Sequence, residues 1–92
     1  MNEPSTNAEI ITSDLPCTAF ALSRHSAVLI DHDVSPSGKV FFRLSLPDGI
    51  AFPEIESQFY GNAHVGGLAY SESIRRLKRI VISARRSQGV IL

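Results

Sequence analysis

The segment KVFFRLSL, residues 39–46, constrains the fold most, because its side chains alternate between two faces of an extended chain. One face carries only large apolar side chains, those of Val40, Phe42, Leu44 and Leu46. The other face carries Phe41, Arg43 and Ser45. This alternation predicts a half-buried β-strand.

The neighbouring segments predict an antiparallel sheet around this strand. Residues 26–33, SAVLIDHD, are rich in strand-forming side chains and lead into the turn sequence VSPSG, so the two segments form a β-hairpin. The tripeptide PDG at 47–49 predicts a second turn, because proline presets φ and glycine accepts a positive φ. Residues 50–52, IAF, are then a third antiparallel strand that Pro53 ends.

The rest of the first two-thirds of the chain predicts short elements. Residues 1–12 are a loose N-terminal arm, and residues 13–92 form one domain. Residues 17–22 fit either a strand or a short helix capped by Asp14, and a helix or irregular turn is favoured. Residues 53–61 predict a helix of one or two turns, and the glycine-rich sequence GNAHVGG that follows is a connector.

The C-terminal segment is the clearest helix. Ser71 can cap it, Glu72 complements the positive end of the helix dipole, and Gly89 stops it. At about 100° per residue, one apolar stripe comprises Tyr70, Ile74, Leu77, Val81 and Ala84. The sequence therefore predicts an α+β fold, with a small antiparallel sheet of three or four strands and a C-terminal amphipathic helix packed on it.

The side of this helix opposite the stripe is basic. It carries Arg75, Lys78, Arg79, Arg85 and Arg86, with Ile82 among them. A single exposed isoleucine is ordinary on a protein surface. An apolar residue ringed by arginines also resembles the centre of an interface hot spot. Both interpretations of Ile82 stay open on sequence alone.

Charge is segregated along the chain although the formal net charge is zero. Residues 1–72 hold all nine acids and three bases, a balance of −6, and residues 73–92 hold six bases and no acid. Such a distribution points to a partner that is attracted electrostatically. The alternative is a solvated helix face that serves solubility.

Composition restricts the class of protein. Hydrophobic residues make up 43% and charged residues 20% of the 92 residues, which is typical of a globular domain. No apolar run is long enough to span a membrane, and the first twelve residues do not resemble a secretory signal. Cys17 is the single cysteine, so no disulfide framework exists within the chain. We expect a cytoplasmic protein that does not bind a membrane.

No sequence pattern predicts catalysis. Asp31 and Asp33 point to one face of a strand and His32 to the other, so the three do not converge on a metal ion without a bulge, and His25 and His64 are the only other imidazoles. Cys17 is expected to be a small buried apolar residue. Glycine-rich phosphate motifs are incomplete. We expect no enzyme activity, cofactor, metal or small-molecule substrate.

Two binding functions remain. In one, the basic helix contacts nucleic-acid phosphates, as in a small nucleic-acid-binding regulator. In the other, the domain docks onto a protein or ribonucleoprotein assembly, using the basic helix on one face and acids on another. Those acids are Asp31, Asp33, Asp48, Glu54 and Glu56, with the first two as candidate contacts. The bipolar charge favours docking.

The chain as a whole resembles the small phage-encoded anti-CRISPR proteins that inhibit type I (I-F-like) CRISPR–Cas surveillance complexes. The resemblance consists of the small sheet VLIDHDVSPSGKVFFRLSL, the basic helix SIRRLKRIVISARRS and the lack of an enzyme motif. This resemblance implies a stoichiometric inhibitor that acts in the cytoplasm of a host cell. Its expected partners are Cas protein subunits, and guide RNA is a second candidate contact. Target DNA binding or hybridisation is then blocked. It supplies no binding residues.

Overall fold

Three strands and three helices make up the part of the chain that the computed structural model describes, which is residues 8–47, 49–61 and 67–87. In chain order they are β1 (Ala8–Thr12), α1 (Leu15–Arg24), β2 (Val28–Val34), β3 (Val40–Leu46), α2 (Phe52–Tyr60) and α3 (Gly67–Ser87). The sheet is antiparallel with the order β1-β3-β2, and α3 packs on it beside α1. The predicted α+β fold is therefore confirmed.

The central strand β3 follows the predicted alternation along its whole length. The four apolar residues of its core face are buried, and the residues between them are half-buried. Leu44 lies at the middle of the sheet, opposite Ile10 of β1 and Leu29 of β2. Alternation within one strand therefore defines a core face and an open face for all three.

Strand β2 contains a bulge that no sequence pattern predicts. The register shifts between Leu29 and Asp31, so that Leu29 lies opposite Leu44 while Val34 lies opposite Val40. Residues five positions apart point to opposite faces of a regular strand. The extra residue at Ile30 brings both Leu29 and Val34 onto the core face. It also aligns Asp31 with Arg43 on the open face.

Helix α1 covers the core face. Its buried side chains include Phe20, whose ring lies 5.4 Å from that of Phe59 in α2. The side chain of Asp14 caps the helix by accepting a hydrogen bond from the Cys17 amide at 3.0 Å, and Pro16 occupies the first turn, where no amide hydrogen is needed. The structure therefore selects the capped helix over a strand for residues 17–22.

The predicted third strand at residues 50–52 is wrong. Helix α2 begins at Phe52, and the Glu54 carboxylate accepts a hydrogen bond from the Ala51 amide at 3.1 Å. Proline in the first turn and an acid that completes the cap favour a helix over an edge strand here. Asp48, within the predicted turn, lies outside the described residues.

The third strand is β1, which sequence analysis places in the N-terminal arm. Ala8–Thr12 pairs along β3, so the arm prediction is wrong for these five residues. Residues 1–7 lie outside the described part of the chain, as do residues 62–66 of the predicted connector and Gly89, the predicted helix stop. Helix α3 begins four residues before Ser71, at Gly67.

Candidate interaction surface on the C-terminal helix

The predicted apolar stripe of α3 is its buried side. Leu77 is fully buried and Ala84 nearly so, while Tyr70, Ile74 and Val81 pack against the core as partly buried side chains. Helix α3 lies chiefly against α1 and also contacts β2. The orientation of the helix is therefore the predicted one.

The opposite side of α3 is exposed to solvent. We call it the basic face, and define it as Arg75, Lys78, Arg79, Ile82 and Arg86, all of which are exposed. No carboxylate of the described residues lies within ion-pair distance of its four cations. Ile82, 44% exposed, lies among them. The helix thus holds four charges around an apolar side chain on a rigid support.

Arg85 differs from the other predicted contact residues. It is half-buried, and its Nε donates a hydrogen bond at 2.9 Å to the carbonyl oxygen of Gly38 in the β2–β3 turn. This bond ties the C-terminal part of α3 to the hairpin. Arg85 therefore has a structural partner within the chain, and its contact with another molecule stays a prediction.

Leu68 belongs to the same side of α3, although it was not predicted as part of the helix. It is 68% exposed and falls within about 20° of Arg75 around the helix axis, because seven residues make nearly two full turns. A rise of 1.5 Å per residue places Leu68 and Ile82 about 21 Å apart along the axis. The sequence feature that could have identified Leu68 is the helical period, which continues upstream of Ser71.

The candidate acidic contacts lie on the open face of the sheet. The carboxylate of Asp31 accepts hydrogen bonds from Nε and Nη2 of Arg43, at 3.1 and 2.5 Å. This pairing holds the pKa of Asp31 below its usual value. Nη1 of Arg43 also lies 3.7 Å from Oε1 of Glu9, so the guanidinium bridges β1 and β2. Among the described residues, the Asp33 carboxylate accepts a local hydrogen bond from the Val34 amide at 2.9 Å.

The structure does not bring the two predicted groups together. Asp31 and Asp33 share the open face with Arg43, whereas the helices pack on the core face and the basic face of α3 points away from the sheet. Contacts with one partner surface therefore involve one group or the other. A partner that contacts both must reach around the domain.

The imidazoles and acids of the described residues form no cluster of three or more that could hold a metal ion. His32 lies opposite Phe42 and its two aspartate neighbours lie opposite residues of the open face. His25 contacts Oε1 of Gln58 through Nε2 at 2.7 Å, and His64 is not among the described residues. The Asp31-His32-Asp33 triplet therefore lies on an edge strand, directly after its bulge.

Cys17 and Tyr60 both have strongly raised pKa values, and the carboxylate of Asp14 contributes to both shifts. Burial, with help from the nearby carboxylates of Asp14 and Glu56, raises the pKa of the Cys17 thiol to about 12. The hydroxyl of Tyr60 donates a hydrogen bond to Oδ2 of Asp14, and this bond raises the pKa of Tyr60 to about 12. A neutral buried thiol is a weak nucleophile. The predicted packing role suits Cys17.

No helix within the described ranges combines the length and apolar character needed to cross a membrane.

Similarity to known proteins adds nothing to this geometry. No protein-family model, curated protein or solved structure matches the chain.

Proposed function

We propose that this protein is a stoichiometric inhibitor that binds a CRISPR–Cas ribonucleoprotein surveillance complex through the basic face of α3. One observation carries the proposal: four exposed cations without ion-pair partners among the described residues surround an exposed isoleucine on one side of a packed helix. The type of target comes from the resemblance described above, and the chemistry of binding comes from the face itself.

The basic face suits an acidic surface of a ribonucleoprotein. Arg75, Arg79 and Arg86 lie within about 40° of one another around the helix axis at 100° per residue, so they form one row. Guanidinium groups bind carboxylates and phosphates through paired hydrogen bonds and keep their charge at every physiological pH. Such a row can engage an acidic Cas subunit or exposed guide-RNA phosphates.

Inhibition follows from occupancy. A domain of 92 residues that is bound where target DNA enters or pairs excludes the DNA sterically. Because the helix is held by Leu77 and Ala84 in the core, little backbone conformational entropy is lost when its outer face binds. The proposal therefore needs no chemical step.

The test uses a purified type I, I-F-like surveillance complex with its guide RNA. We expect the protein to bind the assembled complex at a fixed ratio and to prevent binding of target DNA in a gel-shift assay. Arg79→Gln weakens this binding. Arg76→Gln is the matched control, because Arg76 is also exposed on α3 but lines the groove beside Leu22 and Ser23 of α1.

The same titration with naked RNA and duplex DNA separates the alternative function. An inhibitor of the complex binds neither appreciably at physiological salt. Binding to naked nucleic acid as tight as to the complex supports a small nucleic-acid-binding regulator instead. Absence of binding to the assembled complex contradicts the proposed function.

A further inference from the structure

No helix of the described residues covers the open face of the sheet, in contrast to the core face. Ile11, 68% exposed, lies directly opposite Arg43, and Val28 and Ile30 are also exposed. Beside them, a shallow groove of about 290 Å³ is lined by Ile11, Asp31, His32, Asp33, Phe41 and Arg43. An antiparallel sheet with helices on one side commonly leaves its other side to solvent, so the distinctive feature of this face is its exposed aliphatic side chains beside the groove.

The groove combines the groups that hold an arginine side chain. The half-buried ring of Phe41 already has Nζ of Lys39 at 5.8 Å from its centroid, so this ring holds a cation of the chain itself. Ile11 offers apolar surface to the aliphatic stem of a long side chain. Asp33, directly opposite Phe41, is exposed, and no cation of the described residues pairs with its carboxylate. The groove is therefore complementary to a cation attached to apolar surface.

The chain itself carries such a surface. The basic face of α3 has four cations around Ile82, with Leu68 further along the same side. Within the described residues, 8–61 carry six acids and three bases, whereas 67–87 carry one acid and six bases. We propose that the open face of the sheet binds the basic face of α3 from a second copy of this chain, with arginine side chains in the groove beside Asp33.

The placement of the two binding surfaces within one molecule determines which type of assembly forms. Because the two surfaces lie on opposite layers, each copy in a dimer keeps one surface free, and the dimer as a whole still presents one free surface of each kind. The contact is heterologous, so association continues past the dimer unless the rotation between copies closes a ring. A three-stranded face with strands of five to seven residues is smaller than the roughly 800 Å² per partner of a stable interface, so the association is weak and needs high protein concentration.

Sedimentation velocity of the full chain alone tests this proposal from micromolar to millimolar protein. At about 0.01 M salt, where the screening length is about 30 Å, we expect the weight-average mass to exceed about twice that of the monomer at the highest concentration. At about 0.15 M salt, where the screening length is about 8 Å, the mass falls towards that of the monomer. A monomer at every concentration and salt overturns the proposal.

Charge reversal on each surface gives the sharper result. Asp33→Lys and Arg79→Glu should each abolish the self-association. An equimolar mixture of the two variants should restore it, because the unchanged surface of each variant binds the unchanged surface of the other and the two reversed surfaces are also complementary. Glu54→Gln, a change of charge at an exposed site on α2 that keeps an oxygen for the Ala51 amide, leaves self-association intact. A mixture no heavier than the single variants overturns the proposal. So does association that Asp33→Lys removes and Arg79→Glu leaves unchanged, since that result indicates packing of two open faces.

This inference is independent of the proposed function, because it is tested with the protein alone. Self-association also competes with any other use of the basic face, since both occupy the same arginines. Binding to a surveillance complex without self-association therefore supports the proposed function and contradicts only this inference. Self-association without binding to the complex does the opposite.

Discussion

At the residue scale, three aliphatic side chains of α3 have contrasting environments although they share one helix. Leu77 is fully buried, whereas Ile82 is 44% and Leu68 is 68% exposed. Their positions around the helix axis account for the contrast, since Leu77 points to the core and the other two point away from it. Substitution of the buried side chain therefore tests stability, and substitution of an exposed one tests binding.

Leu77→Ala is expected to lower the free energy of unfolding by about 2–4 kcal/mol, because it leaves a cavity in a fully buried site. Leu68→Ala is the matched control on the same helix and should stay within about 0.5 kcal/mol. Thermal or urea unfolding measures both. Equal effects of the two substitutions would mean that the helix presents a different side to the core.

Ile82→Ser tests the centre of the basic face. We expect it to change the free energy of unfolding by no more than about 0.5 kcal/mol and to weaken binding of the surveillance complex by about 1–2 kcal/mol, because a hot-spot side chain loses its desolvated contact. A melt beside a binding titration measures both quantities, with the exposed neighbour substitution Ser83→Ala as control. Unchanged affinity would remove Ile82 from the interface.

Tyr60 gives a prediction for alkaline pH. Its neutral hydroxyl donates to Asp14, which raises its pKa from 10.0 to about 12 in the folded protein. A raised pKa means that the contribution of this contact to stability is complete below pH 10 and is lost as the pH rises through about 12. The stability of the wild-type protein should therefore decline in that window.

The phenolate absorbance of Tyr60 reports this shift directly in a Tyr70→Phe background, since the chain has two tyrosines. Asp14→Ser should move the midpoint back towards 10.0, because serine still caps the helix but carries no carboxylate. Far-UV circular dichroism confirms that α1 stays folded. An ordinary midpoint in the unsubstituted Asp14 background would rule out the hydrogen bond in solution.

At the element scale, β1 completes the sheet although its sequence is short and only partly apolar. Ile10 lies opposite Leu44 and packs against the core, while its neighbour Ile11 lies opposite Arg43 on the open face. A slip of one residue in the register would exchange the two environments. The pair Ile10 and Ile11 therefore reports the register.

Ile10→Ala is expected to cost about 1–2 kcal/mol of unfolding free energy, in proportion to its partial burial, and Ile11→Ala less than about 0.5 kcal/mol. Chemical unfolding of the two variants measures the difference. If residues 8–12 were the loose arm that the sequence suggests, both substitutions would be silent. A larger cost for Ile11 would indicate the slipped register.

At the scale of the whole molecule, the layers separate charge of opposite sign. The exposed cations of α3 lie on the outside of the helix layer, and Glu9, Asp31 and Asp33 lie on the open face, where only Arg43 pairs with acids among the described residues. Charges on opposite sides of a domain do not cancel at close range. A protein of zero formal net charge can therefore still attract an acidic partner.

Association with the surveillance complex should consequently depend on salt. Exposed charges are screened over about 10 Å at 0.1 M ionic strength, so we expect the association rate to fall as salt rises, with a smaller change in the dissociation rate. Surface plasmon resonance at several salt concentrations measures both rates. Salt-independent rates would place the interface on apolar surface away from the cations of α3.

The amino-acid sequence by itself determined the elements whose signals are local. The alternation of β3, the stripe of α3 around Leu77 and the exposure of Ile82 follow from periods of two and 3.6 residues, which are complete within a few positions. The tertiary structure alone decided that Ala8–Thr12 pairs with β3, that a bulge at Ile30 aligns Asp31 with Arg43, and that Arg85 bonds Gly38. These contacts join residues that are distant in the chain, and their stability depends on the surfaces that packing brings together, so no local pattern encodes them.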